Sequence, residues 1–181
     1  MHIISPDTPA LYITSVARDR LPVFRTDTIK TVTCKALHEA RTSGDFAIYA
    51  YVIMLDHLHA ITDSVLKPSK IVQYINGIIS RRIIDHLKQH GHNASLRKLQ
   101  RESGTRGHKY SLWDHHSNIF QIFSEDMLMQ KVNYIHQNPV KADLVERAED
   151  YRWSSARIWN RCPLEDEPLM VDIERIAWRQ R

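Results

Sequence analysis

The sequence predicts an α+β fold of the ferredoxin-like, split βαβ type, with an antiparallel central sheet. Two observations predict it. The first is that apolar residues repeat with strand-like and helix-like periods in the order β-α-β-β-α-β, followed by a further helix. The second is that this order of elements is the one that the split βαβ arrangement requires. A chain of 181 residues with 43% hydrophobic composition is large enough for one such domain and its core.

Local signals place each element in turn. Serine, threonine or aspartate before an apolar stripe begins a helix, proline is favoured in the first turn, and glycine ends it. Residues 46–54 are apolar almost throughout instead of alternating, so we expect this strand in the centre of the sheet. Residues 92–111 are polar and basic, and we interpret them as a loop. In chain order, the predicted elements are strand 11–19, a helix capped by Thr26 or Asp27 and closed by Gly44, strand 46–54, strand 57–62, a helix from Pro68 to near Gly91, strand 118–123, and a helix capped by Ser124 and stopped by Pro139.

Composition argues against several classes of protein. Charges interrupt every apolar stretch before it reaches the length of a membrane span. The first residues lack the basic and apolar blocks of a signal peptide, so we expect a cytoplasmic protein with no membrane partner. Cys34 and Cys162 are far apart in the sequence, which gives neither a disulfide framework nor a CxxC metal site, and we expect both to be reduced thiols.

Positive charge is concentrated in one segment of the chain. From Arg81 to Lys109 there are eight basic and two acidic residues, a net charge of +6, whereas the whole chain carries only +4. Such a segment suits a polyanion, because each neutralised phosphate releases condensed counterions. We expect nucleic-acid contacts here, and a solvated loop that only keeps the chain soluble is the alternative. The candidate DNA-binding residues are Arg81, Arg82, Arg97, Lys98, Arg101, Arg106 and Lys109.

Two histidines form the first candidate for chemistry. On a strand, His57 and His59 point to one face of the sheet and Leu58 points to the other. Leu58 can then enter the core while both imidazoles project together as a pair of metal ligands. Because the chain contains 11 histidines, the spacing taken alone favours surface or hydrogen-bonded histidines.

The second candidate lies on the last predicted helix. Leu128, Val132 and Ile135 form its core-facing stripe, and their spacing of three to four residues is typical of a helix. Tyr134 and Asn138 are four residues apart and share a different face, which offers a phenolic hydroxyl and an amide one turn apart. A half-buried tyrosine followed by a capping asparagine is the alternative that this helix alone allows.

Together the two candidates predict phosphoryl transfer. The hydroxyl of Tyr134 can displace an ester oxygen from a phosphodiester if a metal ion neutralises the developing charge. His57, His59 and the carbonyl oxygen of Asn138 would hold a divalent cation and leave positions for phosphate and water. This uncharged ligand set favours loosely bound Mg²⁺ or Mn²⁺. Lys131, one turn before Tyr134, is a further candidate that would ease deprotonation of the phenol.

Two motifs resemble those of a known family. The stretch YAYVIMLDHLHAI resembles the histidine-hydrophobic-histidine segment of the IS200/IS605-like single-tyrosine transposases. The stretch YIHQNPVKADLVERAEDYRWSSARIW resembles the C-terminal signature of their relatives, the REP-associated tyrosine transposases. The resemblance covers residues from about 11 to 159 and implies a ferredoxin-like fold with a nucleophile on a C-terminal helix. It also implies that Tyr134 is the nucleophile and that His57 and His59 bind the metal, and Asn138 stands where the family's third ligand lies.

The resemblance further implies an enzyme that cuts and rejoins single-stranded DNA near imperfect hairpins, leaving a 5′-phosphotyrosine and a free 3′-hydroxyl. We expect residues 1–159 to form the catalytic domain and residues 160–181 to form a C-terminal tail. Leu55 and Asp56 stand where relatives usually have Pro-Asn, and Asp143 replaces a glycine. Asp56 could support one imidazole through a hydrogen bond, whereas Asp143 affects only a local turn.

Three other functions are compatible with parts of the pattern. A hairpin-binding regulator of the same fold would lack catalysis, and the intact set of four candidate site residues argues against it. A zinc-structured module would need four closed ligands, and no cysteine lies near His57. An RNA-binding domain would use paired aromatics such as Tyr49 and Tyr51, but these lie in an otherwise apolar strand. The sequence leaves open the target hairpin, and whether a homodimer forms in which Tyr134 acts on a partner's metal site.

Overall fold

The computed structural model describes residues 1–101, 109–114 and 117–178. Both cysteines are free thiols, as expected. Within the described ranges, no helix has the length and apolar composition needed to cross a membrane.

In chain order, the strands and α-helices are β1 (Ala10–Val16), α1 (Asp27–Gly44), β2 (Ile48–Ile53), β3 (His57–Thr62), α2 (Pro68–Gln89), α3 (Asn93–Leu99), β4 (Asn118–Ile122), α4 (Glu125–His136), α5 (Asn138–Lys141) and α6 (Ala156–Trp159). Short 3-10 helices lie at Arg18–Arg20, Ala148–Asp150 and Ile173–Arg175.

The four strands form one antiparallel sheet in the order β2-β3-β1-β4. The first strand in sequence lies inside the sheet, where Tyr12 is opposite Ile61 of β3 on one side and opposite Phe120 of β4 on the other. Helices α1 and α2 connect strands that are not adjacent in the sheet, as the split βαβ arrangement requires. The predicted α+β, ferredoxin-like fold is confirmed.

The predicted helix starts are present. The side chain of Thr26 accepts a hydrogen bond from the backbone N–H of Ile29 at the start of α1, and Ser124 accepts one from Met127 at the start of α4. Each bond satisfies one of the N–H groups that a helix start leaves unpaired. Pro68 lies in the first turn of α2, where its missing N–H removes no hydrogen bond from the helix.

The two faces of the sheet have different roles. On β1, the hydroxyl of Ser15 donates to Asn76 of α2, so this face of the strand is the one that the α2 layer covers. Because side chains alternate along a strand, Tyr12 and Thr14 point to the opposite face. The opposite face carries α4, and the ring centroid of Tyr134 on that helix lies 6.3 Å from that of Tyr12.

Strand β2 lies at an edge of the sheet, so its predicted central position is wrong. All of its residues are nevertheless buried, because later parts of the chain cover its outer edge. The backbone N–H of Ser155 donates to the carbonyl of Tyr51, and the N–H of Tyr51 donates to the Ser155 hydroxyl, each at 3.0 Å. The carboxylate of Asp172 accepts from the N–H of Ile48 at 2.9 Å. A covered edge excludes water as a central position does, which explains the continuous apolar sequence.

Two further expectations need correction. The segment 92–111 is not entirely a loop, because it contains α3, whose Leu96 and Leu99 are buried. A helix of two turns has too few apolar residues to show a clear period. Helix α4 ends at His136, before Pro139, but the chain then enters α5 with Pro139 in its first turn. The first turn of a helix does not use its backbone N–H groups in internal hydrogen bonds, so Pro139 is accommodated in the first turn of α5. The proline therefore follows one helix and lies at the start of the next.

Ion pairs fix the residues after α6 to the rest of the protein. The carboxylate of Glu167 accepts two hydrogen bonds from Arg157, at 2.6 and 3.0 Å, and both side chains are buried. Asp166 pairs with Arg152 at 2.6 Å. Breaking a buried ion pair is costly because it leaves an unpaired charge in the interior. Asp166 and Glu167 of the C-terminal segment therefore neutralise arginines that precede them in the chain.

Candidate metal and nucleophile site

His57 and His59 project together from β3. Their ring centroids are 4.9 Å apart and their rings are close to perpendicular, at 76°. Leu58 between them is buried in the core on the other face. The period of the strand predicts this arrangement, and it brings two imidazoles close enough to share one cation.

His59 is held by two side chains of the neighbouring strand β1. Its Nδ1 atom lies 2.9 Å from the hydroxyl of Tyr12 and 2.9 Å from that of Thr14, so Nε2 is the nitrogen that could bind a cation. Burial, and then the proximity of His57, lower the pKa of His59 to about 3. Burial also raises the pKa of Tyr12 to about 12, although its hydrogen bond with Thr14 acts in the opposite direction. Because of its low pKa, the imidazole of His59 is uncharged at neutral pH, and this is the form that binds a metal.

His57 is supported by a carboxylate. Its Nδ1 atom lies 2.6 Å from Asp56, and the other carboxylate oxygen of Asp56 lies 3.3 Å from the guanidinium of Arg20. Burial alone would raise the pKa of Asp56, but the hydrogen bond with His57 and the interactions with Arg20 hold it below its ordinary value. A carboxylate in this position fixes the ring orientation and makes the far nitrogen a better ligand. The expected contact between Asp56 and an imidazole is confirmed.

Helix α4 presents Tyr134 to the histidine pair. The side chain is 46% exposed, and its ring centroid lies 6.0 Å from that of His59. The rest of the helix is anchored in the core through the predicted stripe, which is buried at Leu128, Val132 and Ile135. The partly exposed tyrosine is thus carried by a helix that is anchored in the core.

Two lysines flank the ring of Tyr134. The Nζ atom of Lys131 lies 5.9 Å from the ring centroid, and that of Lys141 on α5 lies 5.2 Å from it. These ammonium groups place positive charge beside the exposed phenol. Lys131 is the lysine that helical spacing indicates, while Lys141 comes close only because the chain turns into α5.

The end of α4 is fixed by two polar contacts. The amide nitrogen of Asn138 donates to the carbonyl of Tyr134 at 2.9 Å, which caps the helix and leaves the amide oxygen for another partner. The Nε2 atom of His136 lies 2.9 Å from the hydroxyl of Ser155. Burial lowers the pKa of His136 to about 4, against an opposing effect of Glu149, so this link to the β2 edge is uncharged at neutral pH.

The donor types of His57, His59 and Asn138 suit a divalent cation that takes further ligands from its substrate. His57 and His59 have their Nδ1 atoms in hydrogen bonds and offer Nε2, and Asn138 offers an amide oxygen. In the part of the chain that the structure describes, no group of three histidine, cysteine or acidic side chains is arranged to hold a metal. Two imidazoles and one amide carry no charge, so they suit loosely held Mg²⁺ or Mn²⁺ with positions left for phosphate and water.

The described members of the predicted DNA-binding set lie outside this cluster. Arg81 and Arg82 of α2 pair with Glu39 of α1, at 3.1 and 2.7 Å, so part of their charge is already neutralised. They belong to the helical layer, on the side of the sheet opposite His59. Arg97 and Lys98 are exposed on α3, Arg101 and Lys109 lie in the segment after it, and Arg106 lies outside the described residues.

Sequence reasoning missed Tyr12, Thr14 and Lys141. Tyr12 and Thr14 are two residues apart on a strand, a spacing that could have marked a polar face. Only the pairing of β1 with β3, in which Thr14 lies opposite His59, shows which residue they support. Lys141 is seven residues after Tyr134, about two helical turns, but the break between α4 and α5 obscures that spacing.

The fold and the site define a split βαβ protein whose paired histidines face an exposed tyrosine on a following helix. The family described as "Transposase IS200 like" matches residues 10–138, and the chain belongs to this family. Its structure is similar to that of a REP-associated tyrosine transposase bound to a REP hairpin, with a TM-score of 0.58, 19% sequence identity and coverage of 100% of this chain and 94% of that one. A protein of Deinococcus radiodurans R1 described as a transposase has a TM-score of 0.48 and 18% identity, over 72% of this chain and 90% of that one. The comparison with curated proteins gave no match.

Proposed function

We propose that this protein is a metal-dependent transposase that cuts and rejoins single-stranded DNA near hairpins through a covalent tyrosine intermediate. The observation that carries the proposal is the position of Tyr134, whose exposed ring lies 6.0 Å from the ring of His59. Membership of the IS200-like transposase family supports it. The ring of Tyr134 does not belong to the buried stripe that anchors the helix.

Cleavage would be a transesterification. The hydroxyl oxygen of Tyr134 loses its proton and attacks the phosphorus, and the bond from phosphorus to the 3′-oxygen breaks. The 5′-phosphate remains on the tyrosine, and the leaving oxygen takes up a proton to become a 3′-hydroxyl. In rejoining, a 3′-hydroxyl attacks the phosphotyrosine and releases Tyr134. One phosphoester bond replaces another in each step, so neither direction needs nucleotide hydrolysis.

His57, His59 and Asn138 would hold Mg²⁺ or Mn²⁺ in this reaction. When bound, the cation supplies positive charge that stabilises the developing charge on the phosphate oxygens. The carboxylate of Asp56, 2.6 Å from His57, would orient one of the ligands. The positive charges of the flanking lysines would add to the attraction of the strand toward the phenol.

We propose hairpin DNA with a single-stranded flank as the substrate. The similar REP-associated tyrosine transposase is bound to a REP hairpin in its solved structure. In this chain, the segment from Arg81 to Lys109 supplies the positive charge for phosphate contacts. Arg97 and Lys98 are exposed on α3, which makes this helix the main candidate contact.

The function is tested by incubating the full chain with labelled hairpin oligonucleotides that carry a 5′ extension, in the presence of Mg²⁺ or Mn²⁺. We expect a covalent protein–DNA adduct on a denaturing gel, together with a product that ends in a 3′-hydroxyl. Both should disappear in excess chelator. Hairpin binding without any adduct would contradict the enzyme proposal and favour a DNA-binding regulator of the same fold.

Neutralising Arg97, Lys98 and Arg101 together is expected to weaken hairpin binding and to reduce its salt dependence. Each lost phosphate contact should reduce the log–log slope of affinity against salt by about 0.7 to 0.9. Titration of a labelled hairpin at several salt concentrations measures both effects. Arg147→Gln with Arg152→Gln is the matched control, because these arginines already pair with acidic residues of the chain. A triple variant with the slope of the wild type would place the DNA-binding surface elsewhere.

A further inference from the structure

One aromatic side chain on the site face of the sheet is left largely uncovered by the fold. Phe120 of β4 lies opposite Tyr12 of β1 and is 45% exposed. Ile122 is two residues further along the strand, points to the same face, and is fully buried. The core on this face therefore ends between Ile122 and Phe120, and the phenylalanine ring lies where the sheet surface opens beside the candidate site.

The ammonium group of Lys131 lies close to both the ring of Phe120 and the ring of Tyr134. Its Nζ atom lies 4.7 Å from the ring centroid of Phe120, 5.2 Å from that of Tyr12 and 5.9 Å from that of Tyr134. One ammonium group thus lies among three aromatic rings, and two of these rings are exposed. An exposed aromatic face next to a cation is the combination with which proteins bind unpaired bases and their phosphates.

We propose that Phe120 and Lys131 form a subsite for one unpaired nucleotide of single-stranded DNA, whose base stacks on the phenylalanine while its phosphate pairs with the lysine. The inference rests on the proposed function, because it assigns this nucleotide to the strand that Tyr134 attacks. Lysine has a long flexible stem, so the ammonium group can move from the aromatic face to a phosphate oxygen. Every base has a π-face, so the subsite holds the strand in position without selecting its sequence.

The position of the ring favours a nucleotide over a protein segment as the occupant. A second chain added to the edge of β4 would pair through backbone N–H and carbonyl groups and would not require an aromatic face beside a cation. Ile119 is 39% exposed on the other face of the same strand and carries no aromatic ring. It therefore provides a control for exposed apolar area on β4.

The test measures stacking directly in the full-length chain with Tyr134→Phe, so that no cleavage is required. An oligothymidylate with one 2-aminopurine is titrated with protein, and its fluorescence falls when the modified base stacks on an aromatic ring. Phe120→Ala is expected to weaken binding by about 5- to 150-fold and to remove the quenching. Phe120→Trp should retain both, and Ile119→Ala should change neither.

Unchanged affinity and quenching in Phe120→Ala would overturn the proposal. If that variant does not fold, as judged by circular dichroism, Phe120→Leu keeps an apolar side chain without the aromatic face and must show the same loss of quenching. Lys131→Ala should reduce the salt slope for the single strand by about 0.7, and an unchanged slope would contradict the phosphate contact. Because the adduct assay is separate, loss of the subsite proposal and loss of the cleavage proposal are distinguishable outcomes.

Discussion

Replacing Tyr134 by phenylalanine is expected to abolish the covalent protein–DNA adduct while leaving the fold and the hairpin affinity intact. The change removes only the oxygen that we propose attacks the phosphorus, and the ring keeps its place beside His59. Adduct formation should fall below detection at all metal concentrations. Denaturing gels with labelled hairpin DNA measure the adduct, and thermal unfolding of both chains measures the fold.

Tyr110 is a matched control for this experiment. The Nζ atoms of Lys88 and Lys109 lie 5.4 and 5.6 Å from its ring centroid, so it also lies between two lysines. It packs beside α2 and not against the histidine pair. Tyr110→Phe should form the adduct as the wild type does. An adduct that persists in Tyr134→Phe would show that another tyrosine is the nucleophile.

Replacing His57 or His59 by alanine is expected to abolish Mg²⁺-dependent cleavage and to weaken Mn²⁺ binding strongly. Each change removes one of the three proposed protein ligands from a site that carries no charge to compensate. Hairpin binding should be retained, because the proposed phosphate contacts lie on other elements. His57→Ala is the cleaner variant, since His59 also holds hydrogen bonds with Tyr12 and Thr14 whose loss would lower the free energy of unfolding.

Calorimetric titration of Mn²⁺ into the chain with bound hairpin measures the metal affinity apart from cleavage. His86→Ala is the control, because its ring lies on α2 with a centroid 4.1 Å from that of His90, outside the proposed site. This variant should bind Mn²⁺ and cleave as the wild type does. Full cleavage in excess chelator, or in both His57→Ala and His59→Ala, would refute the metal site.

Features that depend on residues close together in the sequence could be predicted from it. Thr26 and Ser124 cap helices because a side chain reaches an N–H group three residues away. The position of β2 could not be predicted in this way. Its edge is covered by Ser155, which bonds to Tyr51 across a separation of 104 residues, and the apolar pattern of a covered edge equals that of a central strand.

The candidate site also combines contacts between neighbouring residues, which could be predicted, with contacts between distant residues, which could not. The strand period brings His57 and His59 to one face, but their supporting contacts depend on different separations. Asp56 is adjacent to His57, so its contact could be predicted, whereas Tyr12 reaches His59 across 47 residues through the strand pairing. The candidate role of Tyr134 rests on the histidine pair and the tyrosine helix taken together and on the family resemblance, because helical spacing alone fits a structural tyrosine as well.

The hydrogen bond of Asn138 also limits which residue can stand at that position. Its amide nitrogen lies 2.9 Å from the carbonyl oxygen of Tyr134 and 3.4 Å from that of Ile135. An aspartate would offer a cation the negative charge that it prefers. The same carboxylate would face two backbone carbonyl oxygens at the negative end of the helix dipole of α4, and the helix end would lose its donor. An amide is a donor and an acceptor at once, so the side chain at position 138 closes the helix end and still offers an oxygen that could serve a cation.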